Sequence, residues 1–246
     1  MSIPKIIHYC WFGGGAISPE NRKCMESWKK YCPDYKIMAW NEQNFDISTN
    51  RYAQQAYEAK RYAFVSDYVR LAVLYEYGGI YLDTDVELVR PLDELLELPG
   101  FMGFQTNNEV ATGLGFGARK GNSVVQALLR DYDALDFLKA DGSADLTPCP
   151  ERNTRVLQAL GVRKDGTRQS IAEMEIFPAE YFCPMDFYSR ELRVTPKTYS
   201  IHRYAESWKP KPSAVSRILQ RLLKKHYYTW YCPLRGRIEG RLRKRT

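Results

Sequence analysis

The sequence predicts an α/β domain with a mixed, mainly parallel sheet over residues 1–213, followed by a basic amphipathic tail over residues 214–246. Short apolar strand patterns alternate with helical patterns between residues 5 and 86, as in parallel α/β sheets. The chain has 246 residues, of which 44% are apolar, and this is enough for one large core. The net charge is +7, but ten basic residues and one acidic residue give the tail +9 and leave the domain at −2.

The first third of the chain alternates strands and helices. An apolar run predicts a strand over residues 5–12, which three glycines end. Helical spacing of apolar residues predicts a helix over 19–31, and a second short strand follows at 36–40. Residues 51–77 predict one or two helices, which a double glycine ends. A third strand is predicted over residues 80–86.

The pattern changes beyond residue 91. Two glycine-rich apolar segments, 101–105 and 114–118, predict a β-ribbon or an antiparallel sheet edge. Helices are predicted at 122–138 and 153–160. Short strands are predicted at 175–177 and 199–202. We find no internal repeat and no long linker in the sequence, so the domain and its tail are the simplest division of the chain.

The cysteines and the amino terminus indicate a cytoplasmic protein. The six cysteines form no CxxC pair and no zinc-finger spacing, so we expect reduced and mostly buried thiols. The first residues contain no long apolar run, so we expect neither a signal peptide nor a transmembrane anchor.

An acidic pair, Asp83 and Asp85, lies in the segment GGIYLDTDVELV. If the predicted strand continues through it, Tyr81 and both aspartates share one face at the carboxyl end of a central parallel strand, where open sheets bind ligands. Oxygen ligands there favour magnesium or manganese shared with phosphates. The alternative is a strand that runs into an exposed acidic turn. The pair alone is weak support, because a second one, Asp131 and Asp133, lies in a predicted helix.

The preceding helix strengthens the first interpretation. Asp67 and Arg70 are three residues apart, so they lie on one helical face. The helix around them is apolar on nearly all sides. Charged side chains in such a helix should be partly buried and paired with each other or with a ligand. The alternative is an ordinary surface ion pair.

The segment SDYVRLAVLYEYGGIYLDTDV resembles the signature of glycosyltransferase family 32, whose members carry a DXD motif and use sugar nucleotides. This family includes bacterial capsular polysaccharide transferases and fungal initiating mannosyltransferases. The segment is also similar to the catalytic domains of the large clostridial glucosylating toxins. The resemblance covers residues 3–91 closely and extends loosely to SIHRYAESWKP. It implies a GT-A fold, a Rossmann-like sheet that binds a nucleotide-sugar.

The resemblance also implies roles for residues at matching positions. It places three groups at the site: donor-binding residues, metal ligands and catalytic residues. The donor-binding residues are Trp11 under the nucleobase, Asp67 and Arg70 on the sugar and ribose, Tyr81, Asp83, and Ser207 with Trp208 near the diphosphate. The metal ligands are Asp83, Asp85 and His202, and the catalytic residues are Asp67, Arg70 and Asp83. From the residues alone, Trp11 as a core residue and His202 as a structural histidine remain open.

The function implied is that of a retaining hexosyltransferase that requires Mn²⁺ or Mg²⁺. It would move a hexose from a nucleotide-sugar, UDP-linked by the resemblance, to a glycan or lipid-linked oligosaccharide in capsular or cell-surface polysaccharide synthesis. The resemblance favours front-face attack over a covalent intermediate. Acceptor-side candidates are Asn107, Asn108 and Glu109, but the segment EVATGLGFGARKGN departs from the family pattern there. A toxin-like transferase acting on a protein and a non-catalytic nucleotide-sugar binder remain as alternatives.

The tail carries apolar residues among basic ones, followed by several aromatic residues. The apolar positions are Ile218, Leu219, Leu222 and Leu223. This composition is typical of a segment that lies on anionic lipid, which would attach the enzyme peripherally to the inner face of the plasma membrane of a bacterium. A disordered basic tail fits equally well. Nucleic-acid binding is the third option and the weakest, because no nucleic-acid-binding motif accompanies the charge.

Overall fold

The computed structural model describes residues 2–187 and 189–205. The predicted donor-binding residues Ser207 and Trp208 lie outside the described residues. So does the whole predicted tail, residues 214–246.

The first elements match the predicted alternation of strands and helices. They are β1 (Ile6–Cys10), α1 (Pro19–Tyr31), β2 (Lys36–Trp40), α2 (Arg51–Glu58), α3 (Tyr62–Tyr77) and β3 (Gly79–Tyr81). Ser18 caps α1 by accepting a hydrogen bond from the Asn21 backbone N–H at 3.1 Å. Residues 51–77 form two helices, since the chain between them passes through Lys60 at a φ of 56°, a left-handed conformation that ends a helix.

The second half of the chain supplies the remaining strands and three helices. They are β4 (Val86–Leu88), β5 (Gly100–Phe104), β6 (Val110–Ala111), β7 (Phe116–Ala118), α4 (Ser123–Asp133), α5 (Cys149–Ala159), β8 (Gln169–Ile171), β9 (Met174–Phe177), α6 (Ala179–Phe182) and β10 (Ser200–His202). The two glycine-rich segments pair antiparallel as predicted, forming β5 and β7, but both strands lie inside the large sheet and not at its edge. Helix α4 ends at Asp133, five residues earlier than predicted. The sequence pattern did not predict β6, β8 or α6.

The large sheet has eight strands in the order β2-β1-β3-β7-β5-β9-β8, with β6 paired to β5. From the pairings, β2, β1, β3, β5 and β9 run in one direction and β6, β7 and β8 in the other. This topology confirms the predicted α/β class: a Rossmann-like, mixed and mainly parallel sheet, as expected of a GT-A type fold.

The predicted third strand, residues 80–86, is wrong as a single strand. Strand β3 ends at Tyr81, and the chain then turns, with Val86 N–H bonded to Asp83 C=O at 3.0 Å. Strand β4 follows and pairs with β10 in a separate two-stranded sheet. The turn is fixed from outside the segment, because Trp28 Nε1 of α1 donates to Val86 C=O at 2.7 Å. Asp83 and Asp85 therefore lie in a turn, not on alternate positions of one strand.

Two hydrophobic clusters cover the large sheet. One packs sheet residues against α2, α3, α4 and α5. The other packs sheet residues against α1, α6 and the small sheet. In the described part of the chain, five free cysteines are buried, which agrees with the prediction of reduced thiols. No helix there combines the length and the apolar character needed to cross a membrane.

His8 in β1 forms hydrogen bonds to β2 and to the residue before β3. It is fully buried in β1, and its ring lies 2.9 Å from Gly78 C=O at Nε2 and 3.0 Å from Trp40 Nε1 at Nδ1. Because a tryptophan nitrogen can only donate, Nδ1 must accept and Nε2 must carry the proton. Burial lowers the pKa of His8 to about 4, so the imidazole is neutral at physiological pH.

Candidate active site

Three elements bring the predicted site residues together at the carboxyl end of β3. Helix α3 supplies Asp67 and Arg70, and the turn after β3 supplies Asp83 and Asp85. Strand β10, in the neighbouring small sheet, supplies His202. The predicted position at the carboxyl end of a parallel strand is therefore right, although the strand itself stops before the aspartates.

Arg70 joins the two halves of the site. Its Nη2 lies 3.1 Å from Asp67 Oδ1 and 3.1 Å from Asp83 Oδ1. Its Nη1 donates to Thr112 Oγ1 at 3.3 Å, and its guanidinium carbon lies 4.9 Å from the centre of the Tyr81 ring. The side chain is only 7% exposed. The predicted buried pairing of Asp67 with Arg70 is thus present in the structure, with Asp83 as a further partner.

Asp67 is a buried carboxyl group with an unusual pKa. Burial raises the pKa to about 6, and the negative charge of Asp83 adds to this, while the positive charge of Arg70 opposes it. Asp67 is therefore mainly ionised at pH 7 but takes up a proton in mildly acidic solution. An ionised carboxylate is an acceptor for sugar hydroxyls.

Asp83 is held by its neighbours in one orientation. Tyr81 donates its hydroxyl to Asp83 Oδ1 at 3.0 Å, in addition to the bond from Arg70. The Asp83 backbone N–H donates to Gly113 C=O at 3.1 Å. A Cβ atom on Gly113 would overlap Asp83 Oδ2, so this glycine leaves the space that the carboxylate occupies. The Asp83 side chain is 26% exposed, which leaves it open to a ligand.

Asp85 and His202 are in direct contact. Asp85 Oδ1 lies 3.2 Å from His202 Nε2, and Asp85 Oδ2 accepts from the Ala205 backbone N–H at 2.8 Å. Burial alone would raise the pKa of Asp85, but His202 and the Ala205 N–H outweigh it and lower the pKa to about 2. Burial would lower the pKa of His202, but Asp85 outweighs this and raises it.

The residues Asp83, Asp85 and His202 suit a divalent cation. One ligand atom from each lies within 4.8 Å of the others. His202 Nδ1 is buried and has no hydrogen-bond partner in the part of the chain that the structure describes. Carboxylate oxygens are the ligands that Mn²⁺ and Mg²⁺ prefer, and two of the three side chains supply them. These three side chains can therefore hold a divalent metal ion.

Trp11 lies just beyond the carboxyl end of β1. It is partly exposed and belongs to neither hydrophobic cluster, so the alternative of a core tryptophan is not supported. Its Nε1 donates to Gly15 C=O at 2.5 Å, which fixes the indole against the glycine loop. Because β1 and β3 are parallel neighbours, Trp11 is on the same edge of the sheet as Asp83.

The acceptor-side candidates lie in the loop after β5. Asn107 Nδ2 donates to Glu109 Oε2 at 2.9 Å, and Glu109 Oε1 pairs with Lys164 at 3.1 Å. Asn108 adopts a left-handed backbone with a φ of 61°. Their described bonds are to each other, to Gln105 and to Lys164, so these bonds do not link the three residues to the metal-binding group.

Several residues near Arg70 and Asp67 were not predicted. Thr112 and Cys149 lie 3.3 Å apart behind the guanidinium, and Asn153 Nδ2 donates to both, at 3.1 Å to Thr112 and 3.2 Å to Cys149. Burial raises the pKa of Cys149 to about 12, so it remains a thiol. The only sequence signal for this region is the glycine-rich segment around Thr112 and Gly113.

Comparison with known proteins adds an independent finding. Residues 18–101 match the family model described as the glycosyltransferase sugar-binding region containing a DXD motif. This stretch includes five of the predicted site residues: Asp67, Arg70, Tyr81, Asp83 and Asp85.

Similar proteins are transferases by name. Inositol phosphoceramide mannosyltransferase 3 of Schizosaccharomyces pombe is 30% identical over 151 residues, which cover 55% of this chain and 39% of that protein. Alpha-1,4-N-acetylglucosaminyltransferase of Homo sapiens is 28% identical over 148 residues, which cover 60% and 38%. This chain thus spans about two fifths of the length of these two curated relatives. The solved PaToxG glycosyltransferase has a TM-score of 0.48 and 21% identity, covering 64% of this chain and 69% of that one. The matches in sequence support a transferase enzyme.

Proposed function

We propose that this protein is a metal-dependent, retaining hexosyltransferase that uses a nucleotide-sugar. The proposal starts from the match of residues 18–101 to the glycosyltransferase sugar-binding region containing a DXD motif. The observation that carries the proposal is the adjacency of two groups. Arg70 bonds to both Asp67 and Asp83 at 3.1 Å, and Asp83 belongs to the candidate cation site with Asp85 and His202. A pair suited to sugar hydroxyls thus adjoins a site suited to a cation on phosphate.

Asp67 and Arg70 are proposed to bind the sugar and ribose of the donor. A carboxylate accepts hydrogen bonds from hydroxyl groups, and a guanidinium donates in a rigid planar fork. Both side chains are held by the pairing with each other, so little side-chain entropy is lost when a sugar binds. Trp11 is proposed to stack on the nucleobase, for which its partly exposed ring is suited. We propose UDP as the nucleotide, from the resemblance to UDP-sugar enzymes.

Asp83, Asp85 and His202 are proposed to hold Mn²⁺ or Mg²⁺. When bound, such a cation supplies positive charge that offsets the negative charge developing on a departing diphosphate. The orientation of Asp83 is set by Arg70 and Tyr81, so the protein presents one fixed carboxylate to both the sugar and the cation. Ser207 and Trp208, which lie outside the described residues, are proposed to contact the diphosphate.

Transfer is proposed to retain the anomeric configuration by front-face attack. The bond between the anomeric carbon and the phosphate oxygen breaks while the acceptor oxygen bonds to that carbon on the same face, and the acceptor proton passes to the departing diphosphate. A covalent route would need a free carboxylate nucleophile beside the sugar. Asp67 and Asp83, the carboxylates nearest to the proposed sugar position, are already paired with Arg70.

The acceptor is proposed to be a glycan or a lipid-linked oligosaccharide in cell-surface polysaccharide synthesis. One relative is named as a mannosyltransferase for inositol phosphoceramide, a lipid, which supports an acceptor hydroxyl presented at a membrane surface. The basic tail, residues 214–246, is proposed to hold the protein on the inner face of an anionic membrane, beside such an acceptor.

A panel of nucleotide-sugars with Mn²⁺ tests the proposed function. We expect one donor to raise the melting temperature of the protein and to be slowly hydrolysed. The Asp85→Asn variant should lose both effects. The matched control is Asp131→Asn, which alters the other Asp-x-Asp pair and should keep both. If no donor in the panel is hydrolysed or stabilises the wild-type protein, the proposal is wrong.

A further inference from the structure

A group of buried polar side chains lies among α2, α4 and α5, and both α2 and α4 pack against α3, the helix that carries Asp67. We call it the inner polar group, and it consists of Tyr52, Tyr132, Arg152 and Asn153. Each of these residues is at most 2% exposed. Each also has one buried polar atom without a hydrogen-bond partner among the described residues: Tyr52 Oη, Tyr132 Oη, Arg152 Nε and Asn153 Oδ1.

Packing holds these side chains close together. The rings of Tyr52 and Tyr132 meet edge to face with centroids 5.1 Å apart, and the Arg152 guanidinium carbon lies 5.6 Å from each ring centre. Arg152 Nη2 also bonds to Asp145 Oδ2 at 2.8 Å. The side chains therefore cannot turn their unpaired atoms toward solvent without breaking this packing.

The inner polar group is electrostatically coupled to Asp67. Burial is the main reason that the pKa values of the Tyr52 and Tyr132 hydroxyls are raised, and the charge of Asp67 adds to both. The positive charge of Arg152 in turn lowers the pKa of Asp67, against the larger effect of burial.

Contacts also connect the inner polar group to the site. Asn153 donates to Thr112 and Cys149. Both of these residues also accept from Arg70, which bonds to Asp67.

Buried polar atoms without a partner are rare in folded proteins, and most are satisfied by ordered water. A buried water needs two to four polar neighbours, and this group offers about that number. The two hydroxyls and Arg152 Nε can donate, while Asn153 Oδ1 can only accept. A carboxylate close to several donors is the natural final acceptor of such a network.

We propose that Tyr52, Tyr132 and Arg152 position Asp67 for the donor sugar through a hydrogen-bond network completed by ordered water. They are positioning residues, because they act on the sugar through Asp67. The inference rests on the proposed function, in which Asp67 binds that sugar. Arg70 fixes Asp67 Oδ1, and the network fixes the same carboxylate through the inner polar group.

The alternative is that the four atoms are simply unsatisfied and have no effect on the site. The two interpretations differ for a tyrosine-to-phenylalanine change, which deletes one hydroxyl and keeps the ring. If the hydroxyl is unsatisfied, its loss leaves ligand binding unchanged. If it belongs to the network, its loss frees Asp67 and weakens the binding of a ligand that carries the sugar more than the binding of one that lacks it.

The test compares two ligands on Tyr52→Phe and Tyr132→Phe. By calorimetry with Mn²⁺ present, we measure the affinity for UDP-glucose, or for another nucleotide-sugar if that one stabilises the protein more, and for the nucleoside diphosphate alone. We expect each variant to bind the nucleotide-sugar about 3- to 10-fold more weakly, as for the loss of one hydrogen bond. Affinity for the nucleoside diphosphate should fall less, because this ligand lacks the sugar and keeps only the ribose of the two donor groups that Asp67 and Arg70 are proposed to bind.

Tyr35→Phe is the matched control. Tyr35 also has a buried hydroxyl without a described partner, but it lies in the other hydrophobic cluster, away from Asp67. This variant should bind both ligands as the wild type does. Unchanged nucleotide-sugar affinity in both tyrosine variants, or an equal loss for the two ligands, would overturn the inference. If the wild-type protein binds no nucleotide-sugar, the proposed function fails and the inference falls with it.

Discussion

Replacing Arg70 by methionine should destabilise the fold strongly while removing donor binding. The guanidinium is 7% exposed and bonds to two carboxylates at 3.1 Å, of which the Asp67 side chain is only 12% exposed. Removing one partner of a buried ion pair costs about 3–5 kcal/mol of the free energy of unfolding. In a chain of 246 residues this corresponds to a fall in melting temperature of roughly 10 °C.

The destabilisation by Arg70→Met should depend on pH. The pKa of Asp67 is raised to about 6, above its value in the unfolded chain, so the folded state binds this proton more tightly. Without Arg70 the pKa rises further. The unpaired carboxylate then becomes neutral as the pH falls from about 7 to 5, and the difference in stability from the wild type should shrink.

Urea unfolding of wild-type and Arg70→Met protein at pH 7.5 and pH 5.5 measures both effects. The control is Arg155→Met, which breaks the ion pair with Asp131, where the arginine side chain is 64% exposed. That loss should be below about 1 kcal/mol at both pH values. If Arg70→Met is no less stable than Arg155→Met, the guanidinium of Arg70 does not stabilise the buried carboxylates of the site.

Three further predictions concern Asp83, His8 and the tail. Gly113→Ala should push the Asp83 carboxylate out of place and reduce nucleotide-sugar hydrolysis by about 100-fold. Its melting temperature should fall less than that of Arg70→Met, because Arg70 keeps Asp67 as a partner; normal hydrolysis would contradict the role of this glycine. His8 has a pKa of about 4 in the folded protein and 6.5 as a free side chain, so about 3 kcal/mol of stability present above pH 6.5 should be lost as the pH falls to 4. Urea unfolding of wild type and His8→Gln at pH 7.5 and 4.5 checks this, since the stability gap between them should narrow at the lower pH; a constant gap would argue against it. Deleting residues 214–246 should abolish binding to anionic vesicles and keep donor hydrolysis, whereas continued vesicle binding would refute the role of the tail.

Local signals predicted the elements that local contacts form. Helix α1 matches its predicted bounds because Ser18 and Pro19 start it, and both signals are in the adjacent sequence. Strand β2 matches because its apolar run is short and clearly bounded. The sequence leaves open whether residues 51–77 form one helix or two, and the break between α2 and α3 includes Lys60 in a left-handed conformation that the sequence does not indicate.

The turn after β3 could not be predicted, because contacts with distant residues form it. Asp83 N–H bonds to Gly113 C=O, and Val86 C=O accepts from Trp28, which is 58 residues earlier. Strand β4 leaves the large sheet to pair with β10, more than 100 residues later. A β-branched run that continues through Asp83 and Asp85 looks the same in sequence whether the strand ends at Tyr81 or goes on.

The charged residues of the candidate site could be predicted from the sequence. The residues that surround and support them could not. Asp67, Arg70, Asp83, Asp85 and His202 could be named because a motif carries four of them and the resemblance adds the fifth. The supporting residues are Thr112, Gly113 and Cys149, and Tyr52, Tyr132 and Arg152 are proposed to support Asp67. They belong to segments with no distinctive pattern, and only folding brings them to Asp67 and Asp83.

Direct measurement of Mn²⁺ binding tests most sharply whether Asp83, Asp85 and His202 form a cation site that serves a nucleotide. Electron paramagnetic resonance of free Mn²⁺, with and without UDP, gives the affinity of wild type, Asp85→Asn and Asp131→Asn. We expect UDP to strengthen Mn²⁺ binding in the wild type and in Asp131→Asn, and Asp85→Asn to bind at least about tenfold more weakly. Equal Mn²⁺ affinity in all three proteins, unaffected by UDP, would contradict the proposed metal-dependent transfer.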